Sequence, residues 1–107
     1  MKEVIFLSNS LDTLRAFPAD ARHEAGFQID KVQCGLEPDD WKPISTIGGG
    51  VNEIRIWDEA GTFRVVYVAK LIEAVFVLHC FQKKSQEISQ KDIAIAKKRY
   101  KELMRGR

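Results

Sequence analysis

The sequence predicts an α+β domain in which an antiparallel sheet carries an N-terminal helical hairpin on one face and is completed by a C-terminal helix. Three observations point there. The hydrophobic period changes along the chain in the order strand, two helices, three strands, helix. The segments 51–57, 62–69 and 75–81 follow one another with only short turns between them, which suits an antiparallel meander. The run Val75-Phe76-Val77-Leu78 is apolar without a break, as expected of a strand buried on both faces at the centre of a sheet.

Val4 to Leu7 reads as a short first strand. Ser8-Asn9-Ser10 offers helix caps, and Leu11, Leu14 and Phe17 then fall on one helical face. Pro18 breaks that helix. Asp20 is a candidate cap for the next one, where Ala21, Ala25, Ile29 and Val32 recur at helical spacing until Gly35 stops it. Leu36 to Ile47 contains Pro38 and Pro43, has no clear period, and reads as loop. Gly48-Gly49-Gly50 is followed by neither Lys-Ser nor Lys-Thr, so it reads as a flexible lead into the next strand rather than a phosphate cradle.

From Val51 to Trp57 the chain alternates, with Ile54 and Ile56 on one face and Glu53, Arg55 and Trp57 on the other. Asp58-Glu59-Ala60-Gly61 is a hairpin turn, and the return strand places Phe63, Val65 and Tyr67 on one face and Arg64, Val66 and Val68 on the other. Near the C-terminus, Ser89-Gln90-Lys91-Asp92 resembles a capping box with Asp in place of Glu. Ile93, Ala96, Tyr100, Leu103 and Met104 form the apolar stripe of a last helix whose remaining surface is rich in Lys and Arg.

A chain of 107 residues is one domain, 1–107, long enough for a single core without metal or disulfide staples. No segment approaches the ~20 apolar residues of a membrane span, and the N-terminal apolar run is too short for a signal-peptide core, so a cytoplasmic location is expected. Cys34 and Cys80 follow no metal-ligand spacing and read as reduced thiols. Neither His23 nor His79 has a partner at metal-ligand spacing. The net charge of +2 hides an asymmetry: 7 Lys/Arg against 11 Asp/Glu up to Ala69, then 10 against 4 from Lys70 onward. A basic last third suits a polyanion or an acidic partner, and a solvated helix face would give the same count.

The residues with chemistry to offer lie on the meander. Arg55 and Arg64 are expected on neighbouring strands beside Trp57, on the face away from the helices, where guanidinium groups fork onto phosphate and an aromatic stacks a base. Ordinary cross-strand pairing of Glu53 with Arg64 on an open, exposed face accounts for the same spacing. Lys83 and Lys84 close the last strand, where they either hold a phosphate on a rigid support or mark the return to solvent. His79 shares strand parity with Val77, Phe81 and Lys83 and is either a hydrogen-bonded core residue or a general acid or base.

The runs Asn52-Glu53-Ile54-Arg55-Ile56, Phe63-Arg64-Val65-Val66-Tyr67 and Leu78-His79-Cys80-Phe81-Gln82-Lys83-Lys84-Ser85-Gln86, followed by a helix with Asp92-Ile93, Ala96 and Arg99, resemble the phage-related, HigB-like branch of the RelE/ParE toxin superfamily. The resemblance covers nearly the whole chain. It implies a RelE-like fold and the toxin half of a type II toxin–antitoxin pair, expected to be a ribosome-dependent mRNA endoribonuclease that uses no metal or cofactor. The alternatives it leaves are a ParE-like, non-enzymatic inhibitor of DNA gyrase and an inactive prophage relative that only binds its antitoxin. The implied catalytic set is Arg64, Arg55, Lys83, Lys84 and His79, with Trp57, Tyr67 and Phe81 as RNA contacts. Glu53 stands where some ribonuclease members place another base, and Ser85-Gln86-Glu87 lacks the threonine–proline step common after the lysines, so the general base stays open. The implied partners are a helix-turn-helix, HigA-like antitoxin in a hetero-oligomer, the ribosome and mRNA.

Overall fold

The computed structural model describes residues 1–107. Its elements are β1 (Glu3–Phe6), α1 (Ser10–Arg15), α2 (Ala19–Gln33), β2 (Trp41–Pro43), β3 (Val51–Asp58), β4 (Gly61–Val68), β5 (Ala74–Lys83) and α3 (Gln90–Met104). They form an α+β fold compatible with a RelE-like architecture. The five strands make one sheet in the order β1-β5-β4-β3-β2. The expected meander is present as β3, β4 and β5, antiparallel throughout, and β1 joins β5 in parallel, Glu3 opposite Ala74. The middle of the sheet belongs to β4; β5, expected there, lies one place to the side, yet Ala74 to Phe81 are all buried. No helix is long and apolar enough to cross a membrane.

α1 and α2 lie on one sheet face, where Leu14, Phe17, Ala25 and Ile29 pack against Ile54, Ile56, Val65 and Val77. Each helix packs more on the sheet than on the other, because α1 has only six residues, under two turns. α2 begins at Ala19 with Pro18 at its N-cap, not Asp20, which falls in the first turn without capping. Pro18 at the N-cap has extended backbone (ψ 151°) and no N–H to satisfy. The stretch expected as featureless loop contains β2, a three-residue edge strand paired with Asn52–Ile54.

On the opposite face α3 covers part of the sheet. Ala96, Ile93, Tyr100 and Leu103 pack on Val51, Val66, Val68 and Leu78. Ser89 caps α3, its Oγ accepting from the Asp92 amide at 3.1 Å and donating to Asp92 Oδ2 at 2.7 Å. The Gly48–Gly50 turn is gripped by this helix: Gly49 O accepts from Tyr100 Oη at 2.8 Å and from Lys70 Nζ at 2.7 Å.

One irregularity decides where β5 points its side chains. Val66 pairs with His79, but the next residue, Tyr67, pairs with Val77, so Leu78 is a β-bulge. Val75, Val77 and Cys80 therefore face α1 and α2, whereas Leu78 and Phe81 face α3. His79, opposite Val66, is on the α3 side and does not share a face with Val77, as strict alternation would require. α3 locks the bulge: Arg99 Nη1 donates to Leu78 O at 2.8 Å, and its Nη2 to Asn9 Oδ1 at 2.6 Å.

Candidate functional site

α3 is shorter than the sheet face it covers. Beyond it the β3–β4 hairpin and the end of β5 carry Glu53, Arg55, Trp57, Arg64, Phe81 and Lys83 on one side, a consequence of the period-2 alternation of each strand. A cleft of about 700 Å³ runs between this surface, the 42–46 segment, the 86–88 loop and the first half of α3. Its charged lining comprises Lys42, Glu53, Arg55, Arg64, Lys83, Glu87 and Lys97, and it is predominantly polar.

Arg64 and Glu53 form its floor. The sequence reading makes Arg64 an exposed side chain; here it is only 5% exposed and Glu53 1%. Arg64 Nε stands 3.6 Å from Glu53 Oε2, too far for a hydrogen bond, and both atoms are buried without a partner. Lys42 Nζ approaches the other carboxylate oxygen at 4.0 Å. Burial raises the Glu53 carboxyl above its usual range against the pull of Arg64 and Lys42. Burial likewise lowers Arg64, against the attraction of Glu53.

Arg55 lies directly across the β3–β4 ladder from Arg64. Like charges in that position repel, and Asp40 relieves the pair. Its Oδ1 accepts from Arg55 Nε at 2.8 Å and forms an ion pair with Nη2 at 2.7 Å, and its Oδ2 accepts from Trp57 Nε1 at 2.6 Å. These bonds, the one from Trp57 most of all, hold the Asp40 carboxyl below its usual range. Arg64 in turn lies over the Trp57 ring, 5.6 Å from its centre.

Residues 12–101 match the family model of the phage-derived Gp49-like proteins (DUF891). The chain belongs to this family. It is a family of RelE-like, toxin-like proteins. Comparison with curated proteins gives no match.

In the Gp49-like chain the remaining residues singled out from sequence are placed unevenly. Lys83 lines the cleft, but its Nζ is engaged by the carbonyl oxygens of Ser85, at 2.6 Å, and Gln86, and so shapes the loop that follows β5. Lys84 is exposed and lines no part of the cleft. His79 also lies outside it, behind Phe81, on which its ring stacks with centroids 5.0 Å apart. Its Nε2 meets Asp92 Oδ1 at 2.7 Å and its Nδ1 is buried without a partner. Burial lowers the His79 pKa, outweighing Asp92. Phe81 is buried in the α3-side core. Tyr67 is on the other sheet face, within the core under α1 and α2, where burial pushes its hydroxyl up to about 12. Trp57 is 63% exposed and lines not the cleft but an adjoining hollow, with Asp20, Glu24, Asp39, Asp40 and Asp58.

The cleft thus brings together Arg55, Arg64 and Lys83; Trp57 stands beside it, against Arg64, and Lys84, His79, Phe81 and Tyr67 lie elsewhere. Sequence reasoning missed Asp40, Lys42 and Lys97 as parts of the site. Asp40 carries no local signal, since its partners are 15 and 17 residues away.

Proposed function

We propose that this Gp49-like chain is a HigB-like toxin of a type II toxin–antitoxin pair, acting in the cytoplasm as a ribosome-dependent mRNA endoribonuclease. The observation that supports it best is the buried Arg64 guanidinium at the floor of an open cleft, with an Nε that no protein atom satisfies. The Nε is sealed from solvent, so the guanidinium has to swing out into the cleft for a phosphate oxygen to supply the missing acceptor.

In this reading RNA lies along the cleft with its backbone towards Arg64, Lys42 and Lys97. A ribose 2′-hydroxyl attacks the adjacent phosphorus, giving up its proton to the base. The new P–O2′ bond forms as the P–O5′ bond breaks, and the departing 5′-oxygen takes a proton from water, leaving a 2′,3′-cyclic phosphate and a 5′-hydroxyl. Arg64 neutralises the charge that develops on the equatorial oxygens, and holding attacking and leaving oxygens in line supplies much of the rest. Of the groups that could take the 2′-hydroxyl proton, Lys83 is bonded to its own loop, and Lys84 and His79 stand outside the cleft. Of the two carboxylates that line it, Glu53 is the one at the floor beside Arg64, and burial raises its pKa, which favours it as the proton acceptor over exposed Glu87. Arg64 moving onto phosphate would uncover its free Oε2. Arg55 acts through Asp40 rather than on phosphate directly.

The partner proposed with this reading is a helix-turn-helix, HigA-like antitoxin that covers the cleft. Primer extension on messages from induced cells tests the reading. New 5′ ends within translated regions are expected, and they should vanish with Arg64→Ala. Growth arrest with intact messages would overturn it, and loss of supercoiling activity in the same cells would then point to gyrase.

A further inference from the structure

Trp57 is a large apolar side chain left mostly in water, yet nothing about it is loose. Its Nε1–H donates to Asp40 Oδ2 at 2.6 Å, and Arg64 lies over one face of its ring. Asp40 is itself fixed. Its carboxylate accepts from the Arg55 side chain, and its backbone carbonyl accepts from the Arg55 amide at 2.8 Å. The preceding residue is anchored to the core: the Asp39 amide donates to Gln28 Oε1 at 2.8 Å and its Oδ2 accepts from Gln28 Nε2 at 2.8 Å. Gln28, on α2, is only 2% exposed. Hydrogen bonds from inside the helical layer thus fix Asp39, and those of its chain neighbour Asp40 fix an indole beside the cleft.

Fold stability does not explain this arrangement. An indole that remains 63% exposed contributes little burial, and the bonds around it fix its orientation instead. With Arg64 over the ring, the exposed remainder of the indole lies beside the floor of the cleft, at the edge of a neighbouring hollow lined by Asp20, Glu24, Asp39 and Asp58. Asp40 also neutralises Arg55, so the attraction for phosphate is concentrated on the side of Arg64, Lys42 and Lys97. A strand whose backbone follows that side turns its bases towards Trp57.

We propose that Trp57 is a stacking platform for one unpaired nucleobase of the bound RNA, and that Asp40 is the positioning residue that holds it. This rests on the RNA-cleaving reading and adds to it the feature gripped beside the reactive phosphate, the flat face of a single base. Stacking of this kind tolerates any base, because each has a π face.

The test uses full-length protein in a Trp41→Phe background, so that emission reports Trp57 alone. The probes are a short single-stranded RNA and its derivatives with one abasic ribose at each position in turn. Binding should quench Trp57. One abasic position should restore the emission and weaken binding about tenfold, the scale of a lost base–aromatic stack. Trp57→Ala should weaken binding of the intact RNA alike and leave the abasic RNA unaffected. Asp40→Ala should speed the anisotropy decay of the indole and remove the preference for intact over abasic RNA. Asp40→Asn, which keeps an acceptor for the indole N–H, should recover part of both. If Trp57→Ala binds intact RNA as tightly as its parent while Arg64→Ala does not bind, the platform is overturned and the RNA reading stands. If the parent binds no RNA, alone or with ribosomes, both are overturned.

Discussion

Glu53 and Arg64 sit on adjacent strands with opposite charges 3.6 Å apart, buried, and share no hydrogen bond. The pair is close enough that each charge needs the other, and poorly enough bonded that a ligand can compete for either. Removing one member leaves an uncompensated buried charge, which costs on the order of 3 kcal/mol. Arg64→Ala should therefore both lower stability and abolish toxicity, so toxicity alone does not separate a catalytic from a structural role. Glu53→Gln combined with Arg64→Ala does. Thermal melts of the double variant should recover most of the stability lost in Arg64→Ala, while growth arrest on induction stays absent. A double variant that regains both stability and toxicity would make the pair structural only.

The meander was legible because its three strands are contiguous and each alternates over its whole length. The cleft was legible in outline for the same reason: alternation places Glu53, Arg55, Trp57 and Arg64 on one face. What alternation cannot show is a one-residue slip. Leu78 lies within an apolar run, so a bulge there leaves no mark in the sequence, yet it takes His79 off the face of Val77. β2 escaped notice because three residues ending in Pro43 are too few to display a period. Alternation puts Arg64 on the open face of the sheet but does not show that Trp57 and Glu53 of the neighbouring strand bury it there.

The burial of His79 predicts an acid-sensitive component of stability. Burial lowers the His79 pKa in the folded protein below the ordinary 6.5. As pH falls through 6.5, the unfolded chain takes up this proton before the folded one does, so stability declines until the lower folded value is passed. Glu53 acts in the opposite sense, since its raised pKa makes the folded chain the better proton binder above about 4.5. Urea midpoints from pH 7.5 to 5 should fall more steeply for the parent than for His79→Gln, whose amide can still donate to Asp92. Parallel curves would mean that His79 carries no such linkage.

Gly48 is required by the approach of α3. A Cβ at this position would collide with the Tyr100 ring, whose hydroxyl is committed to Gly49 O. Gly48→Ala should destabilise the domain by about 1–3 kcal/mol, the usual range for overpacking. Replacing Tyr100 by Leu in the same chain removes the ring and should return part of that loss. Chemical denaturation of the two single variants and the double variant measures it, and additive losses would show that the ring is not the obstacle.

Lys97 separates the cleft from the rest of the basic helix. It lines the cleft beside Arg64 and Lys42, whereas Lys98, one residue on, does not. Neither forms an ion pair, so their charges are equal contributors to any diffuse attraction for RNA. They differ only in whether they reach a strand lying in the cleft. Each phosphate contacted adds roughly 0.7 to the slope of log affinity against log salt for single strands. Lys97→Ala should lower that slope by about 0.7, and Lys98→Ala should leave it nearly unchanged. Filter binding of single-stranded RNA across a salt series reads both. Equal reductions in the two variants would mean that RNA follows the outer face of α3, and a parent with no salt dependence would remove phosphate contact as the basis of binding altogether.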